Sequence, residues 1–194
     1  MQIHGLFPTP FAQLENPYLA YKARSSITSI LDNPELKSQY FAYDSTFNPT
    51  QRLEDMIELD DALVYMRDYL FELGVDFLKE IGYRTDLMNL SCNLVFNRMR
   101  KGDSHQRHIH PGIVASGTFY VDFPEGSAPL QLHDPRLHRE MIPYPTDTNP
   151  YTQNKYVTDL KTGSICIYEG YVEHSVPVNT SDNRIVVLFN IVNG

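Results

Sequence analysis

The strongest periodic signal along the chain lies in residues 53–82. Leu59, Leu63, Met66, Leu70, Leu73, Phe77 and Ile81 recur every three or four positions, which lines one face of an α-helix, and Gly82 stands where a helix-ending turn is needed. A second helix is expected over residues 16–32. There Asn16-Pro17 supplies a cap followed by a proline start, and Leu19, Tyr21, Ile27 and Ile30 follow. Between the two, residues 33–52 are polar and rich in turn formers. The opening LFPTPF is apolar, but Pro8 and Pro10 restrict it to an edge strand or an irregular piece.

After Gly82 the period changes. NLSCNLVFNRM, IVASGTFYVDF, APLQLHD, GSICIYEG, YVEHSVPVN and RIVVLFNIV read as strands separated by turn residues. Helices first and strands second predict an α+β protein whose C-terminal half is a sandwich or barrel. Residues 133–156 carry four prolines and few aliphatics, so they predict a long loop, a kind of segment that is often functional.

Composition narrows the picture only a little. A length of 194 residues suits one domain with a sizeable core, divided into a mostly helical part (1–85) and a β-rich part (86–194). The thirteen tyrosines and ten phenylalanines suit half-buried strands. A net charge of -8 argues against a nucleic-acid duplex as partner. Cys92 and Cys166 lie in apolar strand segments without a CxxC, and read as small core residues. The start MQIHGLFPTPF has neither the basic beginning nor the apolar run of a secretory signal, and no stretch approaches the roughly 18 apolar residues of a membrane span. A cytoplasmic location is the expectation; oligomeric state is left open.

The candidate chemistry sits on histidines. His108 and His110 are two apart, so on an extended segment they project from one face and can offer two imidazoles to one ion. His174 lies far along the chain on another strand-like segment. Arg184 follows ten positions later and opens the apolar strand RIVVLFNIV, where a buried guanidinium requires an anionic partner, most naturally a carboxylate. Taken singly, each histidine is more simply a hydrogen-bonded strand or loop residue. Two histidines plus a third ligand, with open positions left over, describe a site for Fe(II) and O2. His105, His133 and His138 read as ordinary loop residues or as supports behind the ligands.

With these residues in view, the chain resembles the 2-oxoglutarate- and Fe(II)-dependent oxygenase superfamily, most of all a branch of small bacterial and phage proteins. The resemblance rests on VFNRMRKGD at 95–103, HQRHIHPG at 105–112, SGTFYV at 116–121, LHDPR at 132–136, and GSICIYEGYVEHSVPVN at 163–179 followed by RIVVLFN at 184–190. It implies a double-stranded β-helix, or jelly-roll, of about eight strands, with the N-terminal helices packed on it. It also implies His108 and His174 as iron ligands, and Arg184 as the group that binds the C5 carboxylate of 2-oxoglutarate, helped by Asn97 or Ser116. Most of the superfamily has a carboxylate where this chain has His110. The third ligand is therefore His110 or a carboxylate from elsewhere, Asp134 first, then Asp122 or Glu173. The loop 133–156, with Tyr144, Tyr151 and Tyr156, would close over a substrate that the sequence does not identify.

Two other classes compete. A cupin-like metalloenzyme would use HxH and a later histidine without 2-oxoglutarate, but it would usually place a glutamate where this chain has Val114 and Ala115. A non-catalytic jelly-roll binding or structural protein would have no reason to keep Arg184.

Overall fold

The computed structural model of the chain describes residues 1–32, 61–136, 141, 149 and 151–194. The turn-rich reading of 33–52, the start of the helical stripe with Leu59, and His138 and Tyr144 lie outside these residues.

Helix α1 (Pro17–Asp32) begins as its sequence dictates. The Asn16 side-chain oxygen accepts from the Leu19 amide at 2.9 Å, capping one of the free N–H groups of the first turn, and Pro17 occupies the position that needs no donor. Helix α2 (Asp61–Glu80) buries Leu63, Met66, Leu70, Gly74, Phe77 and Leu78 along one stripe. It ends at Gly82, whose φ of 99° is readily reached only without a Cβ.

Among the described residues nine strands follow the jelly-roll path: β1 (Phe11–Glu15), β2 (Leu90–Met99), β3 (His105–His108), β4 (Ile113–Asp122), β5 (Gln131–His133), β6 (Lys155–Val157), β7 (Ser164–Glu169), β8 (His174–Val176) and β9 (Arg184–Asn193). The large sheet has the order β1-β7-β4-β9-β2 and the small one β3-β8-β5-β6. From β2 to β5, and again from β6 to β9, successive strands alternate between the sheets, which is what brings distant strands face to face. The opening LFPTPF is irregular up to Pro10, and the edge strand β1 begins at Phe11, paired only with β7 among the described residues.

The period-two alternation of the central strands sorts their side chains into two cores. Ile165 and Ile167 of β7, with Val187, Phe189 and Ile191 of β9, face α1 and α2. Cys166 and Tyr168 of β7, with Val186 of β9 and Tyr120 of β4, face the space between the sheets. Gly117 lets the Phe189 ring cross β4, since a Cβ there would collide with that ring. Cys166 is fully buried, whereas Cys92 is only partly buried against the helix-side core.

Two expectations need correction. Residues 133–156 are not wholly loop: His133 belongs to β5, and Lys155–Val157 form β6, pairing with Gln131–His133. All three residues of β6 are exposed, so no burial alternation marked the strand. His105, read as a loop residue, likewise belongs to a strand, since His105–His108 is β3.

Candidate metal and cosubstrate site

The ladder of β3 and β8 sets His108 directly opposite His174. Their ring centroids are 4.3 Å apart, and that of His110 lies 5.3 Å from His108 and 4.8 Å from His174. One ring nitrogen from each comes within 4.8 Å of the others. His108 is exposed, His110 half-buried and His174 buried. The expected strand-face relationship between His108 and His110 is not how they meet. β3 stops at His108, and His110 is held beyond it by its own amide, which donates to the Gly170 carbonyl at 2.9 Å. A Cβ on Gly170 would strike the Ile113 carbonyl, so that close approach needs glycine.

The second nitrogen of each ring is already engaged. His108 Nδ1 is 2.6 Å from the Gln106 carbonyl, and His174 Nδ1 is 3.0 Å from the Val172 carbonyl. His110 Nδ1 is 3.0 Å from Asn190 Oδ1 and 2.9 Å from Ser116 Oγ, and the Ser116 hydroxyl donates to the same Asn190 oxygen at 2.8 Å. An Nδ1–H donated to an oxygen leaves the Nε2 lone pair free, which is the arrangement that presents imidazole to a metal. Burial pushes the pKa of His110 down and that of His174 down to about 3, so both rings are neutral near pH 7. The donor set therefore fits a divalent ion with nitrogen ligands.

These rings form one end of a cavity between the sheets, lined further by His105, Tyr120, Tyr168, Leu188 and Arg184. Arg184 is 2% exposed. Its Nε donates to the Ala128 carbonyl at 2.9 Å, one Nη lies 3.1 Å from Met99 Sδ, and the guanidinium carbon sits 5.3 Å from the centre of the Tyr120 ring. Desolvation lowers its pKa, but a guanidinium stays charged. Among the described residues no carboxylate pairs with it, and the cavity lining holds no Asp or Glu. The Tyr120 hydroxyl is also buried without a hydrogen-bond partner. A buried cation beside an unused hydroxyl is costly unless an anion joins them.

The other residues singled out in the sequence fall in different places. Ser116 bonds His110 and Asn190, at the imidazole end of the cavity. Asn97 stands on β2 opposite Val186, and its side-chain oxygen is buried without a partner. Asp134 is outside the histidine cluster, and its carboxylate accepts from the Arg136 amide at 3.0 Å and from the Arg136 guanidinium, the shortest contacts being 2.8 and 2.6 Å. Asp122 pairs with Arg24 at 2.5 Å, and Glu173 with Arg107 at 2.6 Å. His133 Nε2 lies 2.8 Å from Ser175 Oγ. Sequence reasoning missed Tyr120, Asn190 and the inward turn of His105. The first two had a legible signal: Ser116, Thr118 and Tyr120 share one face of β4, as Arg184, Val186, Leu188 and Asn190 share one face of β9.

The fold and site together define a jelly-roll whose interior sets three imidazoles able to hold a metal ion against a buried arginine that has no carboxylate partner among the described residues. The family model described as "Putative 2OG-Fe(II) oxygenase" matches residues 94–190, and the chain belongs to that family of 2-oxoglutarate- and Fe(II)-dependent enzymes. Among solved structures, a prolyl-4-hydroxylase from Pseudomonas putida matches with a TM-score of 0.63 at 11% identity, over 96% of this chain and 89% of that one. SnoN, a non-haem alpha-ketoglutarate-dependent epimerase from nogalamycin biosynthesis, matches with 0.62 at 10%, over 95% and 77%. The viral collagen prolyl hydroxylase vCPH of Paramecium Bursaria Chlorella virus-1 matches with 0.56 at 12%, over 93% and 94%. At these identities the likeness is one of fold. No curated protein matches the chain. Among the described residues no helix is long and apolar enough to cross a membrane.

Proposed function

We propose that the protein couples oxidative decarboxylation of 2-oxoglutarate to hydroxylation of a second substrate, releasing succinate and CO2, and that residues 1–194 act as one domain in doing so. His108, His110 and His174 would hold Fe(II) through their Nε2 atoms, and Arg184 would receive the C5 carboxylate of 2-oxoglutarate. When bound, the iron supplies the oxygen chemistry. The chain's own residues do the positioning. Asn190 and Ser116 fix the His110 ring, the Gln106 and Val172 carbonyls fix the other two, and the apolar walls of Val186 and Leu188 keep water from the path between imidazoles and guanidinium.

The observation that carries this reading is the pairing, in one cavity without an acidic side chain, of three imidazoles with free Nε2 atoms and an arginine without a carboxylate. His110 is favoured over Asp134 as third ligand because the Asp134 carboxylate is already bridged to Arg136, while His110 has a nitrogen to spare. The test is succinate formation by iron-loaded protein. O2-dependent release of succinate from 2-oxoglutarate by the parent, abolished in Arg184→Ala, is expected. Iron-loaded parent that neither binds 2-oxoglutarate nor forms succinate would refute the reading.

A further inference from the structure

A fourth histidine faces the same cavity. In a regular strand, residues three apart point to opposite sides, yet His105 and His108 both line the cavity. The register of β3 against β8 shifts between them, His105 opposite Val176 and His108 opposite His174. Such an irregularity re-aims a side chain and is common beside active sites. Its effect here is to turn the His105 imidazole inward, with its ring centroid 6.4 Å from that of His108.

The ladder also says where along the cavity His105 stands. Val176 lies two residues beyond His174, so His105 is displaced from the metal-facing imidazoles, and it is close enough to Arg184 to feel its charge. Among the described residues its ring has no hydrogen-bond partner. The cavity wall thus carries the His105 imidazole and the Tyr120 hydroxyl without partners, beside the Arg184 guanidinium, which bonds the Ala128 carbonyl and the Met99 sulfur but faces no carboxylate. Metal binding would use none of them. A group rich in acceptor oxygens would use all three.

From this we infer that His105 is a positioning residue for the cosubstrate, donating a ring N–H to the same C5 carboxylate that Arg184 receives. The inference rests on the proposed function. A bidentate guanidinium leaves carboxylate lone pairs free, and an imidazole on the facing sheet supplies a second direction of contact that fixes the carboxylate's rotation. His105 would then help the protein favour a 2-oxo acid with a distal carboxylate over one without.

The experiment is calorimetric titration of Mn(II)-loaded protein with 2-oxoglutarate and with 2-oxopentanoate, which has the same chain length and no distal carboxylate. His105→Ala should weaken 2-oxoglutarate binding roughly tenfold to a hundredfold, the range for one hydrogen bond to a charged group. It should leave Mn(II) affinity and 2-oxopentanoate affinity unchanged, and His105→Asn should recover much of the loss. Unchanged 2-oxoglutarate affinity in His105→Ala, an equal loss for both acids, or loss of Mn(II) would each overturn the assignment. A parent protein that binds Mn(II) but not 2-oxoglutarate would instead overturn the reading of the site beneath it.

Discussion

Arg184 and Asn190 project from the same face of β9, and each serves a different end of one cavity: Asn190 holds the His110 ring at 3.0 Å, while Arg184 fills the far wall. Six residues of strand separate them, a span of about 20 Å at the usual rise. One rigid strand, paired on both sides by β2 and β4, therefore sets the distance between the imidazoles and the guanidinium.

The Asn190 tether should matter to metal affinity although it touches no metal. Asn190→Ala removes the acceptor shared by His110 and Ser116, freeing the ring to rotate. Metal affinity is expected to drop about 10- to 100-fold, the usual effect of losing such a support. Mn(II) or Co(II) titration checks this, with circular dichroism to verify the fold; an unchanged affinity would mean that the His110 ring needs no holding.

Arg184→Ala should separate cosubstrate from metal. Loss of the guanidinium is expected to cost roughly 2–5 kcal/mol of 2-oxoglutarate binding. Mn(II) binding should be unaltered. Arg184→Met should also leave the ligand-free protein at least as resistant to heat as the parent, because it removes a buried cation that has no carboxylate partner. A large fall in melting temperature would show that the guanidinium is a structural element of the barrel.

The third ligand can be read from two variants side by side. His110→Ala should lose most metal binding, and Asp134→Ala should keep it, since Asp134 lies outside the cluster and is engaged by Arg136. The reverse outcome in metal titrations would assign the site to two histidines and a carboxylate.

Buried neutral histidines also make a prediction about acid stability. Burial pushes His105 down to about 4 and His174 down to about 3, below the ordinary value near 6.5. As pH falls below 6.5, the unfolded chain takes up these protons before the folded one does. The stability they confer is complete above that pH, and it declines as pH drops toward 4 for His105 and toward 3 for His174. The upper limit is about 1.4 kcal/mol per pH unit for each ring. Urea unfolding of metal-free protein at pH 7, 5.5 and 4.5 tests it against carboxylate effects common to both proteins: His105→Asn should lose stability less steeply than the parent, and parallel slopes would refute the prediction.

Much of this protein is determined locally and can be read from its sequence. Asn16-Pro17 starts α1 because the cap and the missing amide are properties of neighbouring residues. The stripe from Leu63 to Phe77 makes α2 because its spacing matches the helical turn. Alternation along β4, β7 and β9 already divides helix-facing from interior-facing side chains, and the buried cation at Arg184 calls for an anion wherever that strand packs. What tertiary structure alone decided is which residues meet. His174 joins His108 only because β8 pairs with β3, 66 positions away in sequence and opposite in direction. Asp134 stands apart from the cluster, just past the end of β5, where Arg136 folds back onto it. The exposed strand β6 owes its conformation to its partner β5, since its own residues carry no burial signal. His105 faces inward because of a register shift between two paired strands, and a register belongs to the pair of strands, which no single segment of sequence specifies.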